Sequence, residues 1–425
     1  MPKNNFINNF ILPCNLYNTS KKNVADISFG GISLPLQTIF LDFAASTPLD
    51  TRVFNEMTPW MLGYFANAAN RTHPMGEITE HAIASARSKI ANIFKAEFDE
   101  IIFTASATES NNLLLRGLVA DPYRKKNKIL YSVTEHSSII TTAKQIAEQY
   151  GIKITTQELP VDNEGQINLS TAQKLIDDET LCVCVMDINN ETGILQKNLS
   201  EIKKICEKFA CILHVDTAQG FARHKINNFF YDFDTATVSS AKIYGPKGAA
   251  ALIIRKKKPK IRIIPQLTGG GHEFQMRSSS PNTAAIIGFA KACEYQFLEA
   301  DRRADMYEKL EDAFKREILK HIDTTFYGKD DNKIKGILSL CIHGVNAMKL
   351  LENTKTVCAS VGSACKTLQA TSSHVLLGMG VPLENALSSF RISFGLTNSE
   401  AEVKEAARRL AKTALKLRKD SATLI

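Results

Sequence analysis

The sequence predicts an α/β fold: a mostly parallel sheet sandwiched by helices, followed by a smaller α+β C-terminal domain. Two observations lead there. From about residue 100 to 255, apolar strand-like runs alternate with amphipathic helix-like runs across short loops, the pattern of βα units feeding a parallel sheet covered on both faces. From about Asp301 the texture shifts to a charged helix followed by shorter strand-like and helix-like pieces.

The elements follow in order. "EIIFTAS" (Glu100 to Ser106) reads as a strand and "TESNNLLLRGL" as the helix after it. "KILYSVT" is a strand, and "SSIITTAKQIAEQYG" a helix stopped by Gly151, the residue type that ends helices most readily. "LCVCVMDI" is a strand, "LSEIKKICEKFA" a helix and "CILHVD" a strand, with "TATVSS" and "AAALIIR" as two more strands. In the last third, "DMYEKLEDAFKREILKHI" is a helix, followed by "KIKGILSLCIHG", "NAMKLLENT" and the glycine-containing loop "CASVGSACKTLQATSS". The expected organisation is a flexible extension over 1–38, a large domain over 39–298 and a small domain over 299–425.

Composition narrows the class. Of 425 residues, 44% are apolar and 23% charged, the balance of a soluble globular chain. No apolar run is long enough to cross a bilayer, and the start lacks a secretory core and cleavage site. The formal charge of +8 gathers partly in "RKKKPKIR", read as a turn, and in "KEAARRLAKTALKLRK", read as a helix with a basic open face. Neither carries a nucleic-acid motif. Nine cysteines without a CxxC pair point to reduced thiols and no zinc site. Cys182 and Cys184 read as small core residues on a buried strand. The expected location is the cytoplasm, or an organelle matrix if the N-terminal extension is a targeting segment.

In open α/β sheets, ligands bind beyond the carboxyl ends of the strands. At those ends stand Thr108, His136, Asn190, Asp216 and Lys242, five polar groups in five neighbouring loops. The helix start near Thr108 offers free N–H groups and a dipole to a phosphate, although Thr is also a common cap. Asp216 suits either a buried pair or a protonated ring nitrogen, with Gln219 placed to donate to a ring oxygen. His136 is a structural imidazole or a proton carrier. Lys242 stands between an apolar strand and the turn "YGPKG", where a partly desolvated amine becomes reactive toward an aldehyde. Cys365, beside Lys366 on a polar loop, is suited to ionise and attack. Arg391 in "SSFRISFG" forms either a surface ion pair or a fork on a substrate carboxylate.

Taken together, "FLDFAASTPLD", "FANAANRTHPMG", "EIIFTASATESNN", "TEHSSI", "INNETGILQ", "HVDTAQ", "KIYGPKG", "GGGHEFQMRS", "SVGSAC" and "FRISFGLT" resemble, in order and spacing, the cysteine desulfurases. These are fold-type I pyridoxal-phosphate enzymes of the class V aminotransferase group, and the loop after Cys365 is similar to that of the NifS/IscS-like branch. The resemblance runs from about Phe40 to about Thr397. It implies pyridoxal 5'-phosphate as cofactor and Lys242 as the lysine linked to it. His136 would stack on the ring, Asp216 would pair with the ring nitrogen, and Asn190 and Gln219 would contact the ring oxygen side. Ala107, Thr108 and Ser239 match phosphate positions, and Ser280 matches a position reaching the partner's cofactor in a homodimer. Arg391, with Asn190, would hold the carboxylate of L-cysteine. Cys365 would take its sulfur as a persulfide for an acceptor protein in iron–sulfur assembly, tRNA thiolation or DNA phosphorothioation.

The sequence departs from the family pattern around the phosphate. Ala241 stands where the family has His, Ser106 where it has Gly, and Ser279-Ser280 where it has Gly-Thr. One lost hydrogen bond to a charged group costs roughly 1.5–3 kcal/mol. The chain ends at "SATLI" without the longer tail that housekeeping members use to engage an iron–sulfur scaffold, which leaves the acceptor open. Two alternatives stand beside the desulfurase: a selenocysteine lyase or other β-eliminating enzyme on the same scaffold, and a catalytically weakened paralogue serving as a binding or regulatory subunit.

Overall fold

The computed structural model describes residues 28–29, 32–33, 35, 37–223, 232–362 and 372–422. Its centre is a seven-stranded sheet of β1 (Ile101–Thr104), β2 (Lys128–Ser132), β3 (Thr155–Leu159), β4 (Thr180–Met186), β5 (Ile212–Asp216), β6 (Thr235–Ser239) and β7 (Ala250–Ile254), in the spatial order β1-β7-β6-β5-β4-β2-β3. β2 to β6 are mutually parallel, while β7 runs antiparallel to both β6 and β1. Six strands therefore share one direction, as the βα pattern predicts, and their carboxyl ends lie along one edge. β3 was not expected. Its sequence, TTQEL, is polar and half exposed because it forms the sheet's edge, so it lacks the apolar run that marks the inner strands.

The pleat splits the strands between two cores. Ile101, Phe103, Val183, Val185, Val215, Ala236 and Ile253 pack on one face, and Ile102, Ile129, Tyr131, Cys182, Cys184 and Leu252 on the other, as the two-residue repeat of a strand requires. Cys182 and Cys184 are free, fully buried thiols. Helix α1 (Thr51–Leu62), capped by Asp50, and α2 (Pro74–Ile93), capped by His73, cover the first face. Neither was read from the sequence. α3 (Ala107–Val119) and α4 (Ser137–Tyr150) cover the second.

Helix α5 (Leu199–Lys208) leads back to the sheet, and α6 (Thr283–Ile318) runs unbroken for 36 residues, about 54 Å. The division at 298/299 falls inside α6. The helix contributes Ala284 to Cys293 to the first core and Tyr307 to Ile318 to a third. That third core lies under an antiparallel sheet of β8 (Thr325–Tyr327), β9 (Ile337–Cys341) and β10 (Ser389–Ser393). Helix α7 (Ala347–Glu352) and helix α9 (Glu400–Ala422) pack on it, with α8 (His374–Gly378) between them in the chain. The short strand Ile39–Phe40 pairs with Val357–Cys358, so the chain enters through the C-terminal half before it builds the large sheet. Among the described residues no helix is long and apolar enough to cross a membrane.

Candidate active site

A cavity of about 250 Å³ opens at the carboxyl edge of the parallel strands. Each wall comes from a strand end. β1 leads through Ser106 into Ala107 and Thr108, and β2 leads to His136. β4 leads to Asn190, β5 ends at Asp216 with Gln219 following, and β6 ends at Ser239 with Lys242 following. Arg391 reaches in from β10, and Ala44, Ala45, Met186, Ile188 and Ala241 complete the lining. Nine of the residues singled out from sequence thus share one cavity: Ala107, Thr108, His136, Asn190, Asp216, Gln219, Ser239, Lys242 and Arg391. Ser280 does not line it. It borders two other concavities, one of them beside Phe103, Ala105 and Arg277. Cys365 lies outside the described residues.

The anion end is the start of α3. The cap is Ser106, whose Oγ accepts the Glu109 N–H at 3.1 Å, and not Thr108. Ala107 and Thr108 are therefore the first two helical residues, whose N–H groups have no partner within a helix. Those donors and the helix dipole favour a phosphate there.

The floor is a buried polar network. Asp216 Oδ2 accepts from Asn111 Nδ2 at 2.9 Å, and Oδ1 accepts from the Ala218 N–H at 3.1 Å. With its amide nitrogen turned to the carboxylate, Asn111 presents Oδ1 to Thr237 Oγ1 (2.7 Å) and His214 Nε2 (3.1 Å). The proton of His214 therefore sits on Nε2. Asn111 lies between Ser110 and Asn112, just before Leu113, Leu114 and Leu115, and its polar neighbours hide in the sequence that this one amide is buried. Burial pushes the Glu135 carboxyl well above the usual range against a hydrogen bond from the Met186 N–H, and Asp216 and Asp187 add to the effect. Burial, then Asp216, does the same to Asp187. Burial thus favours the neutral form of both groups beside Asp216. Gly220 makes the close approach of Asp187 possible, since a Cβ there would lie 1.8 Å from Asp187 Oδ2.

His214 yields a stability prediction. Burial pushes its imidazole down to about 4, against the pull of Asp216. The folded value lies below the unfolded one, so the contribution of neutral His214 is complete above about pH 6.5 and is lost as pH falls toward 4. The loss amounts to about 3 kcal/mol. Replacing His214 by Gln keeps a donor toward Asn111 and removes the titration. Urea midpoints measured from pH 7 to 4 are expected to fall less steeply in that variant, and equal slopes would refute the assignment.

Hydrogen bonds hold the reactive groups in place. Lys242 Nζ donates to the carbonyls of Ala44 (2.9 Å) and Ala45 (2.5 Å). Gln219 Nε2 also donates to Ala44 O at 2.9 Å. Gln219 thus commits one of its two amide N–H groups to the backbone, which leaves the second as a donor, and its Oε1 is buried without a partner among the described residues. The Ser138 N–H donates to His136 Nδ1 at 3.1 Å. Burial holds this imidazole below its usual range; Asp216 opposes that, and Lys242 and His374 reinforce it. Arg391 is 2% exposed. It donates from one arm to Asn190 O (2.9 Å) and from the other to Asp42 Oδ1 (2.6 Å), leaving Nε without a partner among the described residues. Asp42 was not singled out from sequence, because it lies 349 positions from Arg391.

Residues 39–405 match the model of the family described as aminotransferase class-V. The chain belongs to that family. Among curated relatives of this class-V chain is "Cysteine desulfurase IscS" of Rickettsia typhi (strain ATCC VR-144 / Wilmington), 39% identical over 382 residues that cover 90% of this chain and 92% of that protein. Among solved structures, a NifS-like protein superposes with a TM-score of 0.80 at 27% identity, covering 88% of this chain and 98% of the other. "SspA in complex with cysteine" does so with a TM-score of 0.73 at 28% identity, covering 84% and 99%. Membership of the class-V family implies pyridoxal phosphate. The residues fit it: the N–H groups of the first turn of α3 for a phosphate, a buried carboxylate for a ring nitrogen, a lysine on the same wall and a second amide N–H on Gln219 for a ring oxygen.

Proposed function

We propose that this chain is a pyridoxal-phosphate-dependent cysteine desulfurase. It converts L-cysteine to L-alanine and passes the sulfur, as a persulfide on Cys365, to an acceptor protein. The observation that carries the reading is the convergence of Lys242, Asp216, His136 and Arg391 on one cavity whose far end is the start of α3. When bound, pyridoxal phosphate supplies an aldehyde that links to an amine and a ring that takes up the electron pair left by a departing α-proton.

The chain's own residues do the rest. Ala107, Thr108 and Ser239 hold the phosphate, and Asp216, braced by Asn111, holds the proton of the ring nitrogen. Arg391, held by Asn190 O and Asp42, offers the substrate carboxylate its charge and its Nε, which has no partner among the described residues, with Asn190 beside it. Lys242 takes the α-proton at Nζ and returns a proton to carbon, and neutral His136 holds the second proton in transit. The Cys365 thiolate attacks the substrate sulfur. An S–S bond forms as the C–S bond breaks, its electron pair goes to carbon, and protonation there releases alanine. A thiol or an acceptor protein then removes the sulfur from Cys365. Ser280 serves the cofactor of a second copy, so the working form is a homodimer, located in the cytoplasm. The destination of the sulfur is iron–sulfur assembly, tRNA thiolation or DNA phosphorothioation.

The test is to incubate the purified protein with pyridoxal phosphate, L-cysteine and a thiol reductant, and to quantify alanine and sulfide together. Equal amounts are expected. A folded, cofactor-loaded protein that releases neither would overturn the reading and favour a non-catalytic role.

A further inference from the structure

Glu191 follows Asn190 in the chain but has no place in the chemistry above. Its position is well determined. Asn189 Oδ1 accepts the N–H groups of Glu191 (2.9 Å) and Thr192 (3.0 Å), while Asn189 Nδ2 donates to Thr134 O (3.0 Å). The carbonyl of Asn190 is held by Arg391. The Glu191 side chain is 2% exposed. Oε2 accepts a hydrogen bond from the Ser373 hydroxyl, and Oε1 has no partner among the described residues. Among the described residues one hydroxyl is the carboxyl's partner, and burying a carboxyl group on so little costs stability, so its placement calls for a reason other than packing.

What it touches supplies one. Ser373 begins α8: its Oγ accepts the Leu376 N–H at 3.1 Å while donating to Glu191. On the other side is Gly362, with φ +74°, packed so closely that a Cβ there would lie 3.3 Å from Glu191 Oε2. The Gly362 carbonyl is held by Ser360 Oγ at 3.0 Å, and Ser360 pairs through its backbone with Arg391 at 3.1 and 2.6 Å. His374, the next residue after Ser373, is placed by Nε2 at 3.0 Å from Glu135 O, one residue before His136. Gly362 and Ser373 thus stand on either side of Cys365 in sequence, one packed against and the other hydrogen-bonded to the same buried carboxyl.

We propose that Glu191 is a positioning residue for Cys365, holding both ends of the chain segment that carries the nucleophile. The proposal rests on the desulfurase reading for its consequence in turnover, but not for its structural content. The experiment compares wild type, E191A, E191Q and S373A as pyridoxal-phosphate-loaded proteins. Three readouts are taken: the cofactor absorbance band and its change on adding L-cysteine, persulfide on Cys365 by intact mass in a single turnover, and amide exchange over 360–374 without substrate.

E191A is expected to keep the band and its response, form persulfide at least tenfold more slowly, and exchange faster over 360–374. E191Q keeps an acceptor for Ser373 and should recover most of the rate. S373A, a partly exposed site, should reproduce the E191A loss. The E191A/S373A double variant should add little to either, as for two members of one contact. Persulfide formation within twofold of wild type in E191A, or equal loss of the spectral response, would overturn the proposal. Unchanged exchange in both E191A and S373A would overturn it whether or not the wild type desulfurates. A wild type that forms neither alanine nor persulfide, with exchange raised in E191A, would count against the desulfurase reading alone.

Discussion

Lys242→Ala is expected to lower alanine formation from L-cysteine by roughly 10⁴-fold, the upper range of what a positioned acid–base group contributes. Lys242 is given two tasks, the covalent link to the aldehyde and the transfer of the α-proton, and among the described residues lining the cavity there is no second lysine to assume either. Arg391, the other cationic side chain among the described residues that line the cavity, is committed to Asn190 and Asp42 and does not lose its proton. The variant should fold. The ammonium gives the structure hydrogen bonds to Ala44 and Ala45, while the strand that leads to it, β6, is held by its own ladders with β5 and β7. The measurement is borohydride reduction of the loaded protein followed by peptide mass analysis. Wild type should carry the cofactor's mass on the peptide containing Lys242, and the variant should carry it nowhere. Stable incorporation in the variant, or turnover within tenfold of wild type, would remove Lys242 from the assignment.

Cys365→Ser should leave the cofactor band and its response to L-cysteine in place while abolishing persulfide and sulfide. A serine hydroxyl is not ionised near neutral pH and has no counterpart to thiolate attack on sulfur, whereas a thiol beside Lys366 does. Reach is not the obstacle. Cys365 follows Gly362 by three positions, a span of at most about 10 Å, and Gly362 is tied through Ser360 to Arg391 on the cavity wall. Persulfide found by mass analysis in the variant, on any residue, would defeat the role given to Cys365. Loss of the cofactor band would instead make Cys365 a structural residue.

The two variants fail at different points, which makes them informative together. The lysine variant should stop before any sulfur moves, and the cysteine variant only at sulfur transfer. The Glu191 variants should resemble the cysteine variant in weakened form.

Much of this was legible in one dimension because it is local. A strand end and the loop after it are adjacent in sequence. The alternation of apolar runs located β1, β2, β4, β5 and β6, and the polar residue following each named most of the cavity wall: Thr108, His136, Asn190, Asp216 and Lys242. The parallel direction followed from the intervening helices, since a parallel connection has to return across the sheet. Edge strand β3 escaped because its faces are not both buried. Helices α1 and α2 escaped although capping residues Asp50 and His73 stand at their starts.

By itself, then, the sequence determined which residue types stand at the carboxyl ends of which strands, and therefore what chemistry the site can host. Only the tertiary structure decided which groups restrain them. Asn111 braces Asp216 across 105 positions, Asp42 pairs with Arg391 across 349, and Glu191 meets Ser373 across 182. Backbone periodicity acts over a few residues and leaves its mark in the sequence as a pattern. A hydrogen bond between side chains hundreds of positions apart leaves none, because its geometry exists only after the sheet, its covering helices and the C-terminal half have packed together.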